Sequence, residues 1–532
     1  MLKRTVATGV FQGTFAGILL TGAMLTGCAE STKSYEDRNK ADTGTPGMLN
    51  PRMIDGTDYI SGYWDTVNEL TEAHQAMGST LTLHDTKLVA AGHDKAFLSW
   101  TQSSNETGAD VQSIKIMQAT AGADNVYSWS DPASHMFMPV GHTSTATDGQ
   151  FSVNPVSGDG YAMWSDGGSI KLSEFMAGMG HFMGTATLGE GHAASILVDS
   201  AGTAYMLAQD HMPGGFGFLV SKRTAHNNWT TMTALHRMDM MNAYAMPNHF
   251  FKAMVDGQNN IVVVWLETQA DATRLMTATL NTTDDTWTAE PIMILDNTNM
   301  NGVALDSLVS MAVTGVTGTD SIHIVLYQET ETEKGIFVTG YMAAHGWHMA
   351  MRKDAQTETR KIASAPVYGR NGQGHLIAAW VEAEGMNQTV VALQYDATNG
   401  WGMPMDLETA AMHTMISELG LAANMSGNAL VTWVESDDTG VRVLAALRKH
   451  DAMWAVKELL AEYPAGTHVH KPTGFLNHGG TPSVAWNAEH MHEDMLSLSV
   501  NFVNRLANVE NVMSKSDMPA DHGHMDHTGH GM

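Results

Sequence analysis

Each of the thirteen tryptophans falls into one of two recurring positions, and that periodicity confines the chain to a repeat architecture. Trp100, Trp164, Trp265, Trp380, Trp433 and Trp486 close short β-branched or apolar runs, and Leu207 and Tyr327 end two more runs of the same kind. From Tyr327 to Trp486 successive positions are 53 residues apart. The other seven, Trp64, Trp129, Trp229, Trp287, Trp347, Trp401 and Trp454, follow hairpin-turn residues, with Phe182 in that role in the remaining unit. One unit divides into strands at 418–424, 428–435, 441–449 and 453–461, and alternation such as Val441, Val443, Ala445 fits half-buried strands better than a helix.

Four-stranded units repeated radially predict an all-β chain forming a single β-propeller. Counting gives eight blades, or seven if the atypical stretch between Trp129 and Leu207 is not two full blades; a flat sandwich array is the plainer alternative. The last unit has three evident strands, and the segment from Tyr63 to Leu70 looks like that from Met453 to Leu460. An N-terminal strand is therefore expected to complete the last blade, closing the ring and removing exposed sheet edges.

Charge and cysteine content narrow the function. Twenty-eight basic against 56 acidic residues give a net charge of −28, which argues against nucleic-acid binding, because neutralising phosphates needs a basic surface. A single cysteine excludes an intramolecular disulfide framework, zinc-finger sets and four-cysteine iron–sulfur ligation. That cysteine is Cys28, preceded by Lys3 and Arg4, an apolar segment and Leu25-Thr26-Gly27. The pattern is that of a secretory signal, too short for a spanning helix. Its end resembles the bacterial lipobox, which implies that Cys28 is the lipidated first residue of the mature protein; Ala29-Glu30 would favour the outer membrane, facing the periplasm or the cell surface. The expected organisation is a signal peptide at 1–27, the lipidated cysteine and a flexible tether at 28–58, the propeller at 59–505 and a tail at 506–532. The lipid would be the only contact with the membrane.

The repeat also resembles exported bacterial propellers of the sialidase/Asp-box type, over roughly residues 59–503. Asp396-Ala397-Thr398-Asn399-Gly400-Trp401 stands where an Asp-box turn would, although the full Ser-x-Asp-x-Gly-x-x-Trp pattern is absent. Sialidases use an arginine triad for a substrate carboxylate; the mature chain has eleven arginines, and none recurs at successive strand starts. Glycosidase activity is therefore not expected, and no catalytic residue is assigned.

Methionine is unusually abundant, at 40 residues against 37 leucines, beside 26 histidines. With strands A to D running outward from the axis, the B–C turns and the D-to-A connections emerge on one face of a propeller. The repeat puts His135, Met136, Met138 and His142 in D–A connections, followed by His236, Met238, Met240, Met241, Met246 and His249, then Met412, His413 and Met415, then His468 and His470. The B–C turns would add His211 and Met212, and His490, Met491, His492 and Met495. A smaller set, Met176, Met179, His181 and Met183 with His345, His348, Met349 and Met351, should face the other way. Thioether sulfur suits Cu(I), and imidazole suits Cu(I) and Cu(II). Methionine is ordinarily adaptable core filler, which covers positions such as Met163 and Met206 but not Met-His pairs in polar loops.

The tail carries the same ligands. His522, His524, His527 and His530 stand beside Met518, Met525 and Met532 among Gly, Asp and Pro residues, a tract that reads as metal binding. Such ligands suit capture and hand-over to a copper-handling partner better than catalysis. A polar ring two residues after each strand-B terminus, Gln102, Asp166, Gln209, Glu267, Glu329, Glu382 and Glu435, with Glu489 one step later, would make the mouth acidic and offer oxygen sites for calcium. Two rival expectations stand beside copper capture. One is a copper-dependent periplasmic oxidoreductase, since nitrous oxide reductase is a propeller with a copper centre, though its electron-entry domain needs a cysteine pair. The other is a glycan- or protein-binding sialidase-like propeller without metal.

Overall fold

The computed structural model describes residues between Asn50 and Arg505, apart from short internal stretches of which 239–250 is the longest; Cys28 and residues 506–532 lie outside the described residues. Eight antiparallel sheets follow one another along the chain and form an eight-bladed β-propeller. In blades 1 to 6 the strand order is sequential, so each is a meander made by short turns, while blades 7 and 8 add strands from the N-terminal part of the chain to the same pattern. The region between Trp129 and Leu207 holds one whole blade and the start of the next, which makes the count eight. Blade 2 comprises Ala146–Val153, Gly160–Asp166, Ser169–Met176 and His181–Glu190, and blade 3 begins at His192–Val198.

The ring closes as expected. Blade 8 takes strands A to C from His468–Leu476, Pro482–His492 and Met495–Asn504, and its fourth strand is Asn68–Gln75 from the start of the chain. That strand runs antiparallel to Met495–Asn504, with Asn68 opposite Phe502 and Gln75 opposite Leu496. A hairpin, Asn50–Ile54 and Thr57–Ser61, extends blade 7 at its outer edge through Ile60 and Glu458; it falls in the stretch for which the sequence suggested a tether.

Apolar side chains of adjacent blades interdigitate in clusters between the sheets. The first tryptophan position supplies the largest of them, and Trp265, Trp380, Trp433 and Trp486 are fully buried. The second position faces the preceding blade. Trp347 packs on the cluster of blades 4 and 5, Trp401 on that of blades 5 and 6, and Trp129 meets Phe502 of blade 8 edge-on at 4.8 Å. Polar contacts follow the same direction: Trp229 Nε1 of blade 3 donates to Glu174 of blade 2 at 2.8 Å, and Trp287 Nε1 of blade 4 to the Thr233 carbonyl of blade 3 at 2.7 Å.

At the opposite face, A–B turns begin with an Asn or Asp whose side chain accepts from the turn's own N–H groups. Asp199 Oδ1 accepts from Ala201 at 2.9 Å and Thr203 at 2.7 Å, and Asn424 Oδ1 from Asn428 at 3.0 Å. Two of these asparagines also bridge blades, Asn154 Nδ2 to the Gly202 carbonyl at 2.7 Å and Asn424 Nδ2 to the Asn477 carbonyl at 2.9 Å. Gly420 sits where blade 7 meets blade 8; a Cβ there would lie 1.9 Å from the Pro472 carbonyl oxygen.

Deleting Asn68–Gln75 would leave Met495–Asn504 as an unpaired edge and uncover Leu498, Val500 and Phe502, all fully buried in the intact ring. The expected outcome is loss of the cooperative thermal transition and aggregation on size-exclusion chromatography.

Candidate metal-binding rim and a tryptophan–carboxylate belt

The face carrying the B–C turns is built most clearly at blade 6. Its B strand (Leu376–Glu384) and C strand (Asn387–Asp396) are joined by a two-residue turn, Gly385-Met386, with Glu384 opposite Asn387 and Gly385 at a φ of 62°. Met386 is exposed. Gln388, two residues on, reaches both ends of the connection to blade 7. Its carbonyl accepts from Ala410 N–H at 2.8 Å and its Oε1 from Ile416 N–H at 2.5 Å. The intervening chain turns tightly, with Thr414 N–H donating to the Ala411 carbonyl at 3.0 Å and His413 at a φ of 71°. A non-glycine residue in that left-handed region is uncommon. Met412, His413 and Met415 are all exposed around this turn.

The other sequence-derived ligands are placed less uniformly. Met138, His236 and Met238 belong to outer strands and not to D–A connections. Met138 opens the second part of blade 1's outer strand (Met138–Val140) opposite Ile114, and His236 and Met238 lie in blade 3's (Leu235–Met238) opposite Gly217 and Gly215. The reason is that the outer strand is split in two, and its second part pairs with the start of strand C. His490, Met491 and His492 likewise extend blade 8's B strand, opposite Ser497, Leu496 and Met495. His468 opens blade 8's A strand and is exposed, while His470 in the same strand is half-buried. Among the opposite-face set, Met179, His181, His348, Met349 and Met351 are exposed. His135, His142, Met240, Met241, His249, Cys28, His522, His524, Met525, His527, His530 and Met532 lie outside the described residues. Among the described residues no three His, Cys, Asp or Glu side chains gather as a metal-ligand group.

Exposure itself separates methionine from the other apolar residues. Of the large hydrophobic side chains standing out from the described surface, nine are methionines (Met179, Met349, Met351, Met386, Met403, Met405, Met412, Met415 and Met453) and two are valines. Met386, Met403, Met405 and Met453 escaped the sequence reading, although each stands in or beside a polar turn.

The ring of acidic residues is mostly not an open acidic mouth. Glu267, Glu382 and Glu435 are buried, and each accepts from the indole two residues earlier on its own strand: Trp265 at 3.2 Å, Trp380 at 2.8 Å and Trp433 at 3.1 Å. Residues i and i+2 share one face of a strand, which is why the spacing recurs. In blade 5 the pair becomes Tyr327 donating to the exposed Glu329 at 2.9 Å. Basic residues compensate the charge: Arg360 hydrogen-bonds Glu382, and Lys457 lies 3.3 Å from Glu435. Trp64 and Arg505, from the two ends of the propeller, meet on buried Glu458, with Trp64 Nε1 at 2.7 Å and Arg505 Nη2 at 2.9 Å. Buried carboxylates need such partners, since an unpaired one is costly.

Glu489, the displaced member of the ring, faces His470, with Nε2 and Oε2 3.6 Å apart. The Glu489 carboxylate, through its hydrogen bond and then its charge, with Glu418 adding to it, raises the imidazole above its ordinary range, and His470 in turn lowers Glu489. At near-neutral pH this histidine is therefore a poorer metal ligand than an unpaired one, because protonated imidazole cannot coordinate.

No protein-family model and no curated protein matches the sequence. Among solved structures the chain is similar to a polysaccharide lyase, an ulvan lyase, at 10% identity and a TM-score of 0.39, over 65% of this chain and 90% of that one. It is similar to the α-L-arabinanase of Penicillium chrysogenum at 11% identity and a TM-score of 0.34, over 60% and 94%. A third likeness is to the acylaminoacyl peptidase of Pyrococcus horikoshii, at 12% identity and a TM-score of 0.38, over 78% of this chain and 58% of that one. At these levels no activity passes to this chain.

Two measurements check the belt and the histidine. Trp380→Phe removes the donor to Glu382 and should lower stability by about 1.5–3 kcal/mol in urea unfolding, the range for a hydrogen bond to a charged group. By NMR, His470 should titrate above 6.5 and move down in Glu489→Gln. The sign is fixed: stability from the raised His470 is present below 6.5 and lost as pH rises through its folded value. Stability from the lowered Glu489 is present above 4.5 and lost as pH falls through its own.

Proposed function

We propose that this protein is a lipid-anchored cell-envelope copper-binding protein that captures the ion for tolerance or delivery. The observation that carries the reading is the outward display of thioethers, above all Met386, Met412, His413 and Met415, exposed on the two adjacent connections that Gln388 ties together at the rim between blades 6 and 7. Burial does not account for these methionines, since side chains turned to water contribute little to a core. Several thioethers beside an imidazole make a soft, largely neutral donor set that suits Cu(I) and gives Mg²⁺ or Ca²⁺ no oxygen ligands.

The tail histidines His522, His524, His527 and His530 supply a second kind of donor, suited to Cu(II). Leu25-Thr26-Gly27-Cys28 supports anchoring through Cys28, with the outer membrane as the proposed site. A tether and a tail with exchangeable ligands favour capture and hand-over to a copper-handling partner. The assignment is to a carrier, with no catalytic group named.

The test is titration with Cu(I), and with Ag(I) as its redox-inert mimic, of the full-length protein, of a form lacking 506–532, and of that form carrying Met386→Leu, Met412→Leu, His413→Ala and Met415→Leu. Full-length protein should bind the most metal, the truncated form should keep at least one equivalent, and the rim substitutions should remove it. Cu(II) binding by the tail should weaken below about pH 6, as imidazole protonates. If neither ion binds the full-length protein in competition with a weak chelator, the copper reading is wrong.

A further inference from the structure

The central channel holds a feature that metal capture does not use. Lys252 lies in the A strand of blade 4 (Phe251–Val255) and Arg370 in that of blade 6 (Val367–Arg370), the innermost strands of their sheets. Both side chains are exposed, and neither has a hydrogen bond or ion pair with a described residue. In a chain with twice as many acidic as basic residues, two channel cations without a carboxylate partner among the described residues need explaining.

Strand periodicity shows where they point. Successive side chains alternate between the faces of a strand, so Lys252 shares a face with Met254, and Arg370 with Tyr368. Met254 packs in one cluster with Met311 and Val313 from the A strand of blade 5 (Leu308–Gly315). Tyr368 Oη lies 2.9 Å from Ser310 Oγ of that same strand. Both cations therefore approach blade 5, one from each side. Their heights also differ. Arg370 pairs with Leu376 and Val255 with Ile261, each four residues before its blade's tryptophan, so Arg370 is level with Val255, and Lys252 stands three residues away. Three residues of strand span roughly 10 Å, within the combined reach of a lysine and an arginine turned toward each other.

Burial lowers the pKa of both groups even though their side chains meet water, and the Arg370 charge lowers Lys252 further. Groups that touch water yet are desolvated belong in a narrow, water-filled space. There the inner edge of Leu308–Gly315 is the end of its sheet among the described residues, and exposed Val309 and the Ser310 and Tyr368 hydroxyls lie alongside.

We propose that the channel wall in front of blade 5 is an oxyanion-binding site, with Lys252 and Arg370 gripping one anionic group between them. The guanidinium fork matches two oxygens of a tetrahedral or planar oxyanion, and the ammonium adds a point charge. A bound anion relieves the repulsion between the cations, and a confined channel strengthens the attraction by excluding bulk water. The ligand class is a phosphate, a sulfate or a sugar carboxylate, whether free in solution or borne on an acidic glycan. This inference does not depend on the copper reading.

Isothermal titration of the purified protein with inorganic phosphate, sulfate and glucuronate, against chloride at matched ionic strength, tests it. At least one should bind saturably at one site with an affinity of about 1 mM or better, and Lys252→Met or Arg370→Met should weaken it by about tenfold or more. The same anion should raise the melting temperature of the wild type and not of Lys252→Met, whose apolar stem preserves the packing. Tighter binding of phosphate or sulfate indicates a free ion, and tighter binding of glucuronate an acidic glycan. Absence of saturable binding by all three, or undiminished binding in a variant carrying both Lys252→Met and Arg370→Met, would overturn the site.

Discussion

Ring closure is the constraint on which everything else depends. No blade can bury both faces of its sheet alone, and each becomes stable only between two neighbours, so a broken ring exposes two apolar faces at once. The closing contact joins residues more than four hundred positions apart: Asn68–Gln75 pairs with Met495–Asn504, and Trp64 and Arg505 meet on Glu458. Such non-local pairing is costly in loop entropy and slow to form. Placing a buried ion pair and an indole donor beside the seam makes the correct register distinguishable from a slipped one.

The tryptophans serve a similar end at every other junction. Those of the first position fill the space between sheets, and three of them also satisfy a buried carboxylate of their own strand. Those of the second position reach toward the preceding blade. A net charge of −28 would suggest an outer surface carrying all the acid, yet Glu174, Glu267, Glu382, Glu435 and Glu458 are buried and engaged with indole or basic groups. Against that background, channel cations without an ion-pair partner among the described residues and methionines turned to water stand out as departures from how the chain treats its other charges and apolar groups.

How much of this was legible in advance differs between fold and site. Spacing alone identified the blades and the closing strand and favoured eight over seven, because a repeated unit imprints the same side-chain demands again and again. The turn at Asp396 was also correctly placed: its Oδ1 accepts from Asn399 at 2.9 Å in the C–D turn of blade 6. The ligand map fared less evenly. Met412 and His413 lie in the connection between blades 6 and 7 as the repeat suggested and Met415 opens the next A strand, while Met138, His236 and Met238 fall on outer strands, because the split of that strand leaves no periodic mark. Met386 went unnoticed because a lone methionine in a hairpin turn carries no local signal.

Periodicity and the two tryptophan positions are properties of the chain as written, and they determined the propeller and its closure. Which groups face each other was decided only in three dimensions. Glu382 became a buried acceptor because a strand places i and i+2 on one face against a packed neighbour. Gln388 tied the start of the C strand to both ends of the connection to blade 7, and Lys252 and Arg370 lie on the faces of their strands turned toward blade 5, from blades separated by more than a hundred residues. These are products of packing angle and of which way a strand's face turns, and a linear pattern specifies neither until the ring has closed.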